Sequence, residues 1–190
     1  MINMREIFII GTIHGKYTPK EELQKILEDL EPDQVLVELT GVPSLEMKAR
    51  QIYAEELVFA YHWAKDRGLE VGTFDVDSQH SYFIKGKGPN DQEYKKLMEN
   101  QQSIIEKHSW KEFNNETVNN LLNDPLLPLL FNMDNENQRE KIMLENIKKL
   151  MIENDRIVIV TGAGHLQFFE SNLPEAKIPL RTKIPDKSGQ

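Results

Sequence analysis

Two periods of apolar residues alternate along this chain. Residues 6–10 (Glu-Ile-Phe-Ile-Ile), Val35 to Leu39, Val71 to Phe74 and Ile157 to Val160 are short, nearly continuous apolar runs. That is the pattern of strands covered on both faces, as in a parallel sheet. Between the first two runs, Leu23, Ile26, Leu27 and Leu30 recur at helical spacing after Thr18-Pro19-Lys20-Glu21. This segment matches a capping box with proline at the first helical position, and Pro32-Asp33 ends the helix. Strand, helix, strand in that order predicts a right-handed parallel unit.

Further along, Ser44 is placed to cap a long helix running to about Arg67, with Gly68 as the left-handed residue after it. The turn-rich Lys85-Gly86-Lys87-Gly88-Pro89-Asn90 interrupts the alternation, and helical segments follow to about Leu122. Residues 86–133 therefore read as a helical insertion or lid. Its apolar tract Pro125 to Phe131 suits core better than binding surface. A helix from about Asn135 to Glu153, with Ile142, Met143, Ile147, Leu150 and Met151 on one side, returns the chain to the strand at Ile157. Leu166 to Glu170 extend as a helix until Pro174, and Ile178-Pro179-Leu180 is placed for an edge strand, where proline is tolerated. The expected fold is α/β: a single domain over residues 1–190, with a mainly parallel central sheet flanked by helices and a helical insertion.

Composition narrows the chemistry. At 190 residues the chain suits one domain and buries a sizeable core. There is no cysteine, which removes disulfides, thiolate nucleophiles and Cys-type zinc sites, so any metal would be held by His, carboxylate, carbonyl or water. A net charge of −8 without a dense basic cluster argues against nucleic-acid binding. No apolar run reaches membrane-span length, and the start of the chain lacks the features of a signal peptide, so a cytoplasmic protein is expected.

Candidate chemistry sits where the strands end. Gly11-Thr12-Ile13-His14 and Gly162-Ala163-Gly164-His165 repeat one Gly-x-x-His pattern after the first and last long strands, each glycine read as a sharp turn at the strand end. With the strands parallel, His14, Glu38, Asp75 and His165 fall at or just past their carboxyl ends, where open α/β sheets bind ligands. Two imidazoles and one or two carboxylates suit a divalent metal such as Zn, Mn or Co with a position open for water. Each residue also has a plainer role: a histidine at a strand end is often a structural hydrogen-bonder, Glu38 in an apolar strand needs a cationic partner of any kind, and Asp75 reads as a turn cap or a site residue. Asp77 and His80 read as loop residues, and His62 and His108 as helical surface or packing residues. Thr161-Gly162-Ala163-Gly164 lacks the third glycine and the acidic residue of a dinucleotide site. There is no Walker A, His-Glu-x-x-His or Gly-x-Ser-x-Gly pattern.

The Gly11 to His14 segment, the following helix and Val35-Leu36-Val37-Glu38-Leu39 resemble the opening of the TraB/PrgY family, which is related to the Tiki metalloproteases and, more distantly, to erythromycin esterases. Gln138-Arg139 with Met143 and Val160 to Leu166 resemble its C-terminal part. Gln138 stands where the family usually has Glu, and Val76 follows Asp75 where Arg is common. The resemblance implies a site of His14, Glu38 and His165 as catalytic residues or metal ligands. It places Arg139 nearby as the anion or oxyanion partner, and Arg139 and the strand-end Asp75 are the residues expected against a peptide or small-molecule substrate. The implied chemistry is metal-dependent hydrolysis of a peptide or amide bond. The alternatives are a non-catalytic peptide-binding regulator and a metal-free esterase or lactone hydrolase in which Glu38 and His14 exchange protons. A homo-oligomer is left open.

Overall fold

The computed structural model describes residues 5–43, 54–76, 83–151 and 156–181. Ser44, Asp77 and His80 lie outside them. Five parallel strands form one sheet: β1 (Glu6–Thr12), β2 (Gln34–Val37), β3 (Glu70–Thr73), β4 (Arg156–Gly162) and β5 (Ala176–Lys177), in the order β3-β2-β4-β1-β5. The helices are α1 (Lys20–Leu30), α2 (Glu55–Asp66), α3 (Gln92–Ile105), α4 (Glu116–Asn119), α5 (Leu127–Leu130), α6 (Met133–Leu150) and α7 (Leu166–Asn172). This is the α/β fold the apolar periods predict. No helix among the described residues is long and apolar enough to cross a membrane.

The strand order follows from the chain's reversal. From β1 the chain moves past an empty place to β2 and on to β3, then returns to fill that place with β4 before crossing to β5. β4 is therefore central, hydrogen-bonded to β1 along seven residue pairs and to β2 along four. The change of direction on either side of β4 makes its carboxyl end a topological switch point, where the loops diverge and leave a crevice. The residues of β2 are all buried, as are Ile157 to Gly162 in β4. With α1 packed on α2 and α6 on α7, the layers enclose a core that includes Ile7, Ile9, Leu36, Val37, Ile159 and Val160.

Several local details depart from the sequence reading. Thr18 does not cap α1: its hydroxyl accepts from Ile13 N (2.9 Å) and donates to Ile13 O (2.7 Å), closing the turn after β1. Pro19 is the cap residue instead, its carbonyl accepting from Glu22 and Leu23. The described helix before Gly68 starts at Glu55, with Ala54 extended before it. The edge strand lies at Ala176–Lys177 and ends before Pro179, which has no N–H for the ladder; Ile178 and Leu180 pack on the core. The apolar tract splits, with Leu130 fully buried and Leu129 exposed. His108 follows α3 rather than lying within it, edge-on to Phe113.

The two motif glycines serve close approach rather than a turn, since neither has a positive φ. A Cβ on Gly11 would lie 2.4 Å from Leu166 Cδ1, and one on Gly162 would lie 3.2 Å from His14 Nε2. Gly11→Ala should accordingly lower stability by about 1–3 kcal/mol through overpacking against α7, measurable by urea unfolding.

Candidate active site

The strand ends bring the predicted residues to one rim. His14 lies two residues past β1, Glu38 directly past β2, Asp75 two past β3 and His165 three past β4. The fifth residue comes from α6. Its buried stripe Met143, Leu144 and Ile147 continues one and two turns upstream as Glu136, Arg139 and Glu140, so the helix that packs on the sheet also delivers polar groups to the rim.

Arg139 is the centre of the cluster. Its Nε and Nη2 donate to Asp75 Oδ1 and Oδ2, both at 2.9 Å, a two-point pairing. Nη2 also reaches Glu38 Oε1 at 3.2 Å, and Nη1 donates to Glu136 Oε1 at 2.9 Å. Although burial works against the charged form, the hydrogen bond and charge of Asp75, followed by Glu38 and Glu136, raise its pKa further. Its donors are thus turned to protein carboxylates rather than outward to an anion.

Glu38 is buried and fully engaged. Oε2 accepts from Thr161 Oγ1 at 2.5 Å and Gly162 N at 2.7 Å, while Oε1 faces Arg139 and, at 3.5 Å, His165 Nε2. Burial alone would push the carboxyl up. The charge of His165 and hydrogen bonds from His165, Thr161 and Gly162 outweigh it and hold Glu38 well below the usual carboxylate range. Glu38 is therefore a carboxylate at neutral pH and not a proton donor.

The two histidines differ in spite of their matching motifs. His165 Nδ1 lies 2.8 Å from Glu140 Oε1, and Nε2 faces Glu38 and, at 3.9 Å, Glu136. Burial opposes its charge, but Glu38 and Glu140 overcome that and push its pKa up to about 10. At neutral pH it is an imidazolium, donating from both nitrogens. Its 3.4 Å approach to Arg139 Nη1 is then a contact between two donors that share carboxylates.

His14 is half exposed. Its Nδ1 lies 2.7 Å from Glu56 Oε1, and the other oxygen of this fully buried carboxylate accepts from Gly15 N at 3.1 Å. Desolvation lowers the pKa of His14, but the hydrogen bond and charge of Glu56, with the charge of Glu38, raise it overall. Nε2 has no hydrogen-bond partner among the described residues. It faces the bare Cα of Gly162, where a Cβ would lie 3.2 Å from Nε2 and 3.6 Å from Glu38 Oε2. A carboxylate on Nδ1 selects the tautomer with its lone pair on Nε2.

The groups as disposed do not fit a divalent metal. Among the described residues no set of three or more His, Asp or Glu is placed to hold one. The chemistry of the donors agrees: Glu38 is occupied by Thr161, Gly162 and Arg139, both nitrogens of His165 are committed, and a guanidinium stands among the carboxylates. Compared with family models, curated proteins and solved structures, the chain matches none.

Sequence reasoning missed Glu56, Glu136, Glu140 and Thr161. A usable signal existed: Glu56 shares the buried face of α2 with Ala60, Trp63 and Ala64, and an unpaired carboxylate in an apolar stripe is costly, so a partner had to exist.

Two outcomes follow. Arg139→Met should lower stability by about 3–5 kcal/mol, because it leaves Asp75, Glu38 and Glu136 without their cation. A folded-state His165 pKa near 10, against about 6.5 when unfolded, means that its stabilisation is complete below about pH 6.5 and is lost as pH rises through about 10. Urea unfolding from pH 6 to 10.5 should show that decline in the wild type and a flatter profile in His165→Gln.

Proposed function

We propose that the chain is a hydrolase of a carboxylic ester or a peptide or amide bond, in which the His14–Glu56 pair activates water without a metal. One observation carries this reading: His14 is tied through Nδ1 to a buried carboxylate at 2.7 Å while Nε2 faces the bare Cα of Gly162 beside Glu38. A carboxylate and the imidazole it orients are the parts of general-base machinery.

In this mechanism Nε2 of His14 takes a proton from water as the water oxygen bonds to the acyl carbon. Negative charge builds on the carbonyl oxygen, and Arg139 and His165, though paired with Asp75, Glu38, Glu136 and Glu140, keep those carboxylates from opposing it in full. The C–O or C–N bond then breaks, and His14 returns its proton to the leaving group. Glu56 orients the ring and stabilises the imidazolium formed in between. Glu38 stays ionised and holds Thr161, Gly162, Arg139 and His165 in register.

The test is hydrolysis of a panel of p-nitrophenyl esters and amide-linked peptides, with and without chelator. Turnover should survive chelation. His14→Gln should lower kcat by about 10²–10⁴, and Glu56→Gln should also lower it, with both variants folded. The rate should climb with pH as His14 loses its proton, through a midpoint above its ordinary value of about 6.5. It should fall again near 10 as His165 loses its charge. Turnover that disappears with chelator would return the reading to metal-dependent hydrolysis. Peptide binding with no turnover would favour the regulator.

A further inference from the structure

The segment between α3 and α5 grips both histidine turns by their backbones. Asn114 is fully buried, and its carboxamide makes a two-point pairing with Gly11: Oδ1 accepts from Gly11 N at 2.8 Å, and Nδ2 donates to Gly11 O at 2.9 Å. β5 pairs with β1 only at Ile7 and Phe8, so beyond it the amide of Asn114 stands in for a neighbouring strand, three residues before His14. Asn119 is also buried and donates from Nδ2 to Ala163 O at 2.7 Å and Phe113 O at 2.9 Å, two residues before His165. The grips are firmly based, because Trp110 and Phe113 belong to the main core and Trp110 Nε1 donates to Glu22 on α1. A second link holds the same loop, with Arg181 Nε donating to Asn114 O at 3.2 Å.

The two amides also differ in kind from the rest of the segment. The carboxamide of the exposed Asn123 donates to the side chain of Asn120, three residues away. Asn114 and Asn119 instead reach across 103 and 44 residues to main-chain atoms of the two turns that end in histidine. Three backbone groups at the strand ends, Gly11 N, Gly11 O and Ala163 O, are thus paired with side chains of this one segment.

We propose that Asn114 and Asn119 are positioning residues: they hold the turns of His14 and His165 at the separation at which both rings stand beside Glu38. The insertion is then a brace for the site as well as a flank to it. The inference rests on the hydrolase reading only for its kinetic arm.

The experiment measures the titration of each histidine ring by NMR, together with melting temperature and, on the ester and peptide panel, kcat and KM. Asn119→Ala should move the His165 midpoint down by at least one pH unit and leave that of His14 in place. Asn114→Ser should move His14 and spare His165. Each should lower kcat at least tenfold with KM within twofold of wild type, and Asn119→Ser, which keeps one donor, should lie between Asn119→Ala and wild type. Asn123→Ala, the control, should change none of these. Histidine titrations that match wild type while the melting temperature falls would overturn the proposal, as would loss of folding in both Ser variants, which would mark the amides as determinants of the fold alone. If wild-type protein turns over nothing on the panel, the hydrolase reading fails, and the titrations still decide the positioning role.

Discussion

The rim of this sheet depends on one guanidinium. Arg139 pairs at once with Asp75 past β3, Glu38 past β2 and Glu136 on its own helix, so the ends of two strands and one face of α6 meet at a single cation. Buried carboxylates repel one another and lose hydration, and they persist in one place only with a cation and enough hydrogen-bond donors to offset both effects. Arg139 does this with a planar fork that engages two oxygens of Asp75 together. The imidazolium of His165 supplies the second positive charge, shared between Glu140, Glu38 and Glu136.

With those two cations in place, the two Gly-x-x-His segments are free to differ. His165 ends a single turn of helix and starts α7, which places it deep between Glu38 and Glu140 and keeps it charged. His14 lies just before its turn, half exposed, with Nδ1 on Glu56 and Nε2 toward Gly162. One motif therefore yields a buried imidazolium and a half-exposed ring. The glycine and the histidine are the same in both; the surrounding carboxylates and the depth of burial are not.

The insertion joins this arrangement rather than standing apart from it. Trp110 and Phe113 sit in the main core, and Asn114 and Asn119 bond to the strand-end backbones. Its outer part is a smaller cluster, where Phe83 stacks on Phe131 at a centroid distance of 5.0 Å and Tyr94 meets both edge-on. That outer cluster leaves Leu129, Met98 and Leu121 exposed, so the segment has an anchored inner portion and a more solvent-facing outer one.

Much of the fold was legible in the chain alone. Continuous apolar runs at Ile7, Val35 and Ile157 marked strands covered on both faces, and helical spacing at Leu23, Ile26 and Leu27 marked α1, because these periods are set by local backbone geometry. The placing of His14, Glu38, Asp75 and His165 at strand ends followed from the same periods once the strands were taken as parallel. The position of β4 between β1 and β2 did not, since nothing local tells a strand which neighbours it will pair with. The partners were equally hidden. Glu56 lies 42 residues from His14, Arg139 lies 64 from Asp75, and Asn114 lies 103 from Gly11. Sequence determined which ionisable residues fall at the strand ends and roughly where along each strand they lie. Only tertiary packing decided how deeply each imidazole is buried, which carboxylate each ring faces, and that a guanidinium stands among the carboxylates, because these neighbours are far apart in the chain and meet only when it folds.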